Sequence, residues 1–267
     1  MKTLGLIAGN RKFPLIFADA ARTRGYRVVA VAIKGDTMPR INKHVDKVYW
    51  LGLDEFSRMF TIFKEEGITQ VIMAGQISPR RLFSKEVERD QVLKSLLKNI
   101  KNKKADTIFS AIALKLHESG LELLDSTMCI KDQMPQKGTL TQQEPDGALW
   151  EDIHFGLEQA KAIAGLDIGQ SVAVKDKVVV AVEAFEGTDN LIRRAGKIAR
   201  GGIVVVKVSK PKQDMRFDIP VVGFNTVKNL IKAGAKCLAI EADKTLFIDR
   251  EKSLRLADKY NVRVVAV

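Results

Sequence analysis

The sequence predicts a two-domain α/β protein, with a parallel sheet in its first half and a mixed α/β arrangement in its second. Three observations predict it. Short apolar runs alternate with amphipathic stretches through the first 130 residues, the pattern of parallel strands joined by helical crossovers. The second half is richer in strands and carries a hairpin signal at Lys175-Asp176-Lys177. Between them, residues 131–148 are polar and carry Pro135, Gly138, Pro145 and Gly147, as a linker would. The expected organisation is therefore a first domain over 1–130, a linker over 131–148 and a second domain over 149–267. A chain of 267 residues exceeds the roughly 100–200 of a typical single domain, which agrees with two.

In order along the chain, residues 4–8 read as an apolar strand ending at Gly9. Residues 14–24 read as a helix with Pro14 in its first turn and Gly25 as its stop. Strands follow at 26–33 and 45–51, a helix capped by Asp54 at 54–66, and a strand at 70–74 ending at Gly75. The stretch 85–117 is mostly helical, with Lys94, Lys98, Lys101, Lys103 and Lys104 opposite Leu93, Leu96, Leu97 and Ile100. A short strand is expected at 121–124. In the second half a helix at 151–164 precedes strands at 171–174, 178–183 and 203–208. A helix at 226–233, strands at 237–240 and 245–248, a helix at 250–260 and a strand at 262–267 complete the chain.

The formal net charge of +12 and a pI near 9.6 suit an anionic partner: nucleic acid, an anionic membrane surface or a phosphorylated substrate. The basic run lacks interleaved aromatics, which argues against a nucleic-acid groove. No apolar run reaches the roughly 18–20 residues that span a bilayer. The N-terminus enters a strand at once, without a signal-peptide pattern, and Cys129 and Cys237 form no metal or disulfide motif. A cytoplasmic protein is expected, touching the inner membrane surface at most peripherally.

Several motifs bear on chemistry. Gly9-Asn10 joins the first strand to a helix, and a helix N-terminus favours phosphate. The third glycine of a dinucleotide fingerprint is absent, and Lys34 stands where a nicotinamide enzyme would carry an acid. A nicotinamide-dependent oxidoreductase is disfavoured on both counts. Gly75-Gln76 leads at a strand's carboxyl end into Arg80 and Arg81, a pair able to grip phosphate. In the second half, acidic residues cluster at strand ends: Asp167, then Glu183, Glu186 and Asp189, then Asp214 and Asp218. Arg193, Arg194, Lys210 and Arg216 lie nearby. Carboxylates plus substrate phosphates are how Mg²⁺ is usually held, and cations nearby would neutralise a pyrophosphate. Turn residues and surface ion pairs would give the same spacing.

Taken together, the motifs LGLIAGN, VIMAGQI, LDIGQSVAV, VEAFEGTDNLIRRAG, KPKQDMRFDIPVVG and AGAKCLAIEADKTLFIDRE run through nearly the whole chain. In this order they resemble the LpxI-type UDP-2,3-diacylglucosamine pyrophosphatases of lipid A biosynthesis. The resemblance implies a Rossmann-like N-terminal domain, a C-terminal α/β domain peculiar to the family, and lipid substrate between them. It implies Mg²⁺-dependent attack of water on the β-phosphorus of UDP-2,3-diacylglucosamine, giving UMP and 2,3-diacylglucosamine 1-phosphate (lipid X). Asp218 matches the family's critical aspartate, with Arg216 and Gln213 beside it as catalytic residues. Asp218, Glu183, Glu186 and Asp189 are the expected metal ligands. Gly9, Asn10, Gly75, Gln76, Lys210, Thr188 and Arg193 are the expected substrate contacts. Arg11 stands where family members often have glycine. A homo-oligomer is compatible with this reading. The alternative is a non-catalytic nucleotide-binding or regulatory protein, which would need only the Rossmann-like half.

Overall fold

Strand β1 (Thr3–Ala8) is apolar on both faces and becomes the centre of a parallel sheet. The structure, a computed structural model, describes residues 2–78, 81, 84–102 and 104–267. β2 (Arg27–Ile33), β3 (Lys47–Leu51), β4 (Gln70–Ala74) and β5 (Glu122–Leu123) join β1 in the order β3-β2-β1-β4-β5, every pair parallel. This is the Rossmann-like arrangement, with the strand order reversing between β1 and β4. Ile7, Val29, Val31 and Val71 face α2 (Arg58–Glu65), α3 (Gln91–Asn99) and α4 (Ala105–Glu118), where Met59, Phe63, Leu97 and Leu116 close the core. The alternate residues, among them Leu4, Leu6 and Val28, turn to the opposite face, and α1 (Phe13–Thr23) lies against β1, β2 and β4.

One local expectation differs here, and another gains detail. Asp54 does not cap a helix. Glu55 bonds the Gly52 amide (3.1 Å) and tightens residues Leu53–Glu55 into a 3-10 turn, so α2 starts only at Arg58. The 85–117 stretch is two helices, because the buried Asp90 caps α3 through the Leu93 amide (2.9 Å) and the chain extends at Ile100. Asp90 also holds Ser57 through its amide and hydroxyl (2.8 and 2.7 Å), tying the starts of α2 and α3 together.

The chain divides into two units. The first holds the chain up to Ile130 together with Asp214–Asp218; the second holds Lys131–Gln213 and Ile219–Val267. The second is built on a six-stranded sheet in the order β6-β13-β11-β9-β7-β8. These strands are β6 (Gly138–Thr139), β7 (Ser171–Lys175), β8 (Val178–Val182), β9 (Val204–Lys207), β11 (Cys237–Ile240) and β13 (Arg263–Ala266). A separate parallel pair joins β10 (Val221–Gly223) to β12 (Leu246–Ile248). Strict alternation divides the valine-rich strands between two layers. Val172, Val204 and Val206 pack on α5 (Gly147–Gly165). Ala173, Val205 and Leu238 pack on α6 (Thr188–Ala199), α7 (Phe224–Lys232) and α8 (Arg250–Lys259). The hairpin between β7 and β8 turns on Asp176 and Lys177, both at positive φ (51° and 59°), as a two-residue loop requires.

Residues 131–148 hold regular structure. β6 pairs antiparallel with β13, Leu140 donates to the Val264 carbonyl (2.8 Å), and Asp146 caps α5 through the Leu149 amide (2.9 Å). The five-residue excursion of Asp214–Asp218 into the first unit is fixed by aromatic packing. Phe217 is buried in the first unit's core and stacks on Phe109 with centroids 5.2 Å apart. Ser126 holds the Met215 carbonyl with its amide (3.0 Å) and its hydroxyl (2.8 Å).

Candidate functional site

In the first unit, the carboxyl ends of β1 and β4 meet at the point where the strand order reverses, the usual ligand crevice of an open α/β sheet. Gly9 donates to the Ala74 carbonyl (2.8 Å) and Asn10 to the Gln76 carbonyl (2.7 Å). The two turns approach so closely that a Cβ on Gly9 would lie 2.7 Å from the Gln76 backbone, and one on Gly75 2.5 Å from the Asn10 carbonyl oxygen. Gly75 also sits at φ +80°. The four predicted contacts Gly9, Asn10, Gly75 and Gln76 therefore share one place. The Asn10 Oδ1 atom is buried without a hydrogen-bond partner among the described residues.

Of the arginine pair expected to grip phosphate, the structure describes Arg81. Arg80 lies outside the described residues, as does Lys103 of the basic run. Arg81 is engaged by Asp36 (2.8 Å) and Glu86 (2.5 Å). Burial works against its charge, but these two carboxylates outweigh burial and raise its pKa. Asp36 also accepts from the Ser78 amide (3.0 Å), so it braces the loop after β4 and is taken up by that role. Lys34 pairs with Glu55 (2.9 Å). Neither residue is left to read a ribose.

In the second unit, β8, β9 and β11 end on the same side of the sheet, and the polar side chains that follow them converge. The Thr188 hydroxyl, on the first residue of α6, donates to Glu183 Oε1 (2.8 Å) and accepts from Lys207 Nζ (2.6 Å). Lys207 Nζ also lies 3.9 Å from Glu183 Oε2. Lys207 and Lys210 are both buried, and Lys210 Nζ pairs with Asp167 Oδ1 at 2.6 Å. The Gln213 side-chain carbonyl accepts from the Lys210 amide (3.2 Å) and, more weakly, from the Gln170 side chain (3.4 Å). The Glu183 backbone is locked in place: its amide bonds the Ser171 carbonyl (2.9 Å), and a Cβ on Gly169 would lie 2.1 Å from its carbonyl oxygen. A second network ties Lys161 on α5 to Glu241 (2.6 Å), with the Ser209 amide (2.8 Å) and Lys244 (2.9 Å) on the same carboxylate. Burial alone would raise the Glu241 pKa, but bonds from Lys161, Ser209 and Lys244 bring it down from 4.5 to about 2.

The predicted site residues are thus distributed over several places. Glu183, Thr188, Lys210 and Gln213 belong to the second unit's strand-end cluster. Glu186 instead pairs with Arg194 (2.6 Å), which overcomes the opposing effect of burial and lowers its pKa. Asp189 is in the first turn of α6. Arg193 bonds Asn190 (2.7 Å) and borders, with Arg194, Lys197 and Ile198, an open cavity of about 450 Å³ along α6. Arg216 and Asp218 lie in the segment that packs with the first unit. Asp214 grips the Arg216 guanidinium with both oxygens (2.7 and 3.0 Å), which lowers the carboxyl's pKa and raises the arginine's. Asp218 has a positive φ of 53°.

Within the second unit, Glu183, Glu186 and Asp189 are not gathered into a three-carboxylate cage for magnesium. Among the described residues, no group of three or more acidic, histidine or cysteine side chains could share a metal ion. Glu186 is turned to Arg194, and Glu183 lies beside a buried lysine. Lys207 and the Lys161–Glu241 pair were absent from the residues the sequence singles out, and Asp167 was named there without its partner Lys210. A lysine closing the run Ile203-Val204-Val205-Val206 is the signal that marks Lys207, since a charge inside a buried strand needs a partner.

Comparison with known proteins places both units. Residues 3–133 match the LpxI N-terminal domain and residues 136–265 the LpxI C-terminal domain. A protein of Caulobacter vibrioides named UDP-2,3-diacylglucosamine pyrophosphatase LpxI is 29% identical over 277 aligned positions, covering 100% of this chain and 98% of the relative. Two solved structures are more remote. The biotin carboxylase subunit of pyruvate carboxylase shares 15% identity at TM-score 0.28, over 75% of this chain and 42% of its own. L-amino acid ligase from Bacillus licheniformis shares 15% at TM-score 0.26, over 68% and 39%. The chain spans less than half the length of either, and likeness at this level carries no argument about its chemistry. With the two domain matches consecutive and in order along nearly all of its length, the chain belongs to the LpxI family.

Proposed function

We propose that this protein hydrolyses the pyrophosphate bond of UDP-2,3-diacylglucosamine, releasing UMP and 2,3-diacylglucosamine 1-phosphate. The observation that carries the reading is the match of both domains to one family, together with a full-length relative named for this activity. The geometry supports it. Each unit gathers polar, glycine-shaped or lysine-bearing groups at the carboxyl ends of its strands, and a net charge of +12 favours a substrate with two phosphates.

In this reading the nucleotide lies against the paired turns of Gly9, Asn10, Gly75 and Gln76, where the Asn10 side chain offers an unpartnered acceptor among the described residues. Lys210 and Arg193 offer cations to the phosphates, Thr188 meets them at the amino end of α6, and Gln213 fixes the turn that carries Lys210. Asp218 and Arg216 act at the reacting centre. Mg²⁺ belongs to the reading as an ion carried by the pyrophosphate oxygens, with at most one or two protein carboxylates. The exposed lysines of α3, Lys94 and Lys98, support peripheral contact with an anionic membrane surface, and no helix among the described residues is long and apolar enough to cross a membrane.

The test is UMP release from UDP-2,3-diacylglucosamine by the wild type and Asp218→Ala, each with Mg²⁺ and with EDTA. Activity that needs both the metal and Asp218 supports the reading. No UMP from the wild type under any divalent metal overturns it and leaves a nucleotide-binding protein.

A further inference from the structure

The strand-end cluster of the second unit contains a donor and an acceptor that no described residue fully satisfies. Lys207 is 6% exposed, and its ammonium, with three N–H groups, makes one hydrogen bond among the described residues, to Thr188. Glu183 is 8% exposed; its Oε1 is taken by Thr188, and its Oε2 is buried without a hydrogen-bond partner among the described residues. Buried polar atoms are rarely left this way without a function. The two atoms lie 3.9 Å apart, too far for a direct hydrogen bond. One oxygen placed about 2.8 Å from each would subtend an angle of about 90°, a geometry that accepts from one and donates to the other. A phosphate oxygen could satisfy the lysine but would face the carboxylate as a like charge. A water satisfies both.

We propose that Glu183 and Lys207 form a water-positioning pair that holds the attacking water of the hydrolysis, an inference that rests on the hydrolase reading above. Three features fix the pair before any ligand arrives. The Thr188 hydroxyl links the two side chains and sits at the amino end of α6. That end has no side-chain cap, so its dipole favours the negative charge that develops on the water. The Glu183 backbone is pinned by Ser171 and by the close approach of Gly169. In the step itself, a bond forms between the water oxygen and phosphorus. The bond from phosphorus to the bridging oxygen breaks, and its electron pair stays on the departing phosphate. The water's proton passes to Glu183 Oε2 and from there to solvent, while Lys207 balances the charge.

Two measurements on the full chain test this. A high-resolution crystal structure is expected to show one water within hydrogen-bond distance of both Glu183 Oε2 and Lys207 Nζ; direct contact between the two side chains overturns the proposal. In the UMP-release assay, Glu183→Gln keeps an acceptor for Thr188 but turns the second position into a donor. It is expected to lower kcat by about 100-fold or more, with KM within about threefold. Lys207→Met is expected to behave alike. Should it fail to fold, Thr188→Val tests the link in a near-isosteric variant, and Thr188→Ser is expected to keep most activity. A rise in KM at unchanged kcat would make these residues anion binders and overturn the proposal, as would a Glu183→Gln enzyme of wild-type kcat. A wild type that releases no UMP overturns the hydrolase reading and the attacking role of this water with it. UMP release that ignores Glu183→Gln overturns the pair alone.

Discussion

Asp218 adopts a left-handed backbone conformation, φ 53°, which aspartate and asparagine tolerate far better than residues with a plain Cβ. The two obvious substitutions should therefore separate chemistry from strain. Asp218→Asn is expected to lose most UMP release with little change in Tm. Asp218→Ala should lose activity and also about 1 kcal/mol of stability, read by thermal unfolding. Arg11 has the same kind of backbone, φ 64°, a conformation that glycine adopts without strain. Gly169 is constrained differently, by proximity. With its would-be Cβ 2.1 Å from the Glu183 carbonyl oxygen, Gly169→Ala must push the Glu183 backbone away. The expected cost is about 1–3 kcal/mol in denaturant unfolding, with a fall in kcat because Glu183 shifts. Residue types at turns were legible in the sequence because glycine and aspartate mark special backbone positions. Lys207 was not, because its chemistry comes from neighbours brought in by α6 and β8.

At the scale of elements, the long apolar runs declared themselves. β4 and β11 have the bounds the sequence predicts, 70–74 and 237–240, since a buried parallel strand is apolar on both faces. β6 and β10 escaped notice. They are two and three residues long, and their place comes from pairing with β13 and β12 rather than from their own composition. The break between α3 and α4 depends on Asn102, which accepts from the Lys104 amide (3.0 Å) and Thr107 (2.9 Å), a local competition that apolar periodicity does not register. Element junctions also carry the pH dependence. Glu241 joins α5, the turn after β9 and the end of β11. Its carboxyl is lowered from 4.5 to about 2, so its contribution is present above about pH 4.5 and is lost as pH falls towards 2. Allowing for solvent screening, that contribution is about 1–2 kcal/mol. Comparing wild type with Glu241→Gln by circular dichroism during acid titration should show a stability gap at pH 7 that closes over this window.

On the scale of the whole molecule, the unit boundary does not follow the sequence order, because Phe217 belongs to the first unit's core while most of its neighbours in sequence belong to the second. Phe217→Ala should therefore destabilise the N-terminal unit, by about 3 kcal/mol. The two tryptophans allow a direct check, since Trp50 reports from the first unit and Trp150 from the second. In single-tryptophan variants, urea unfolding followed through Trp50 should shift to lower midpoint, and unfolding followed through Trp150 should shift less. The cysteines offer a readout of global opening. Cys129 and Cys237 are buried, and burial pushes the Cys237 thiol up to about 12. Neither should react with a thiol reagent at pH 8 until denaturant unfolds the chain. The same five-residue excursion sets a timetable for birth on the ribosome. When Ile130 emerges, the first unit still lacks the ring that stacks on Phe109. That ring arrives roughly 90 residues later, on the order of ten seconds at ordinary elongation speeds. Until then the nascent N-terminal half waits with an unsealed core, and the synthesis of its own successor closes it.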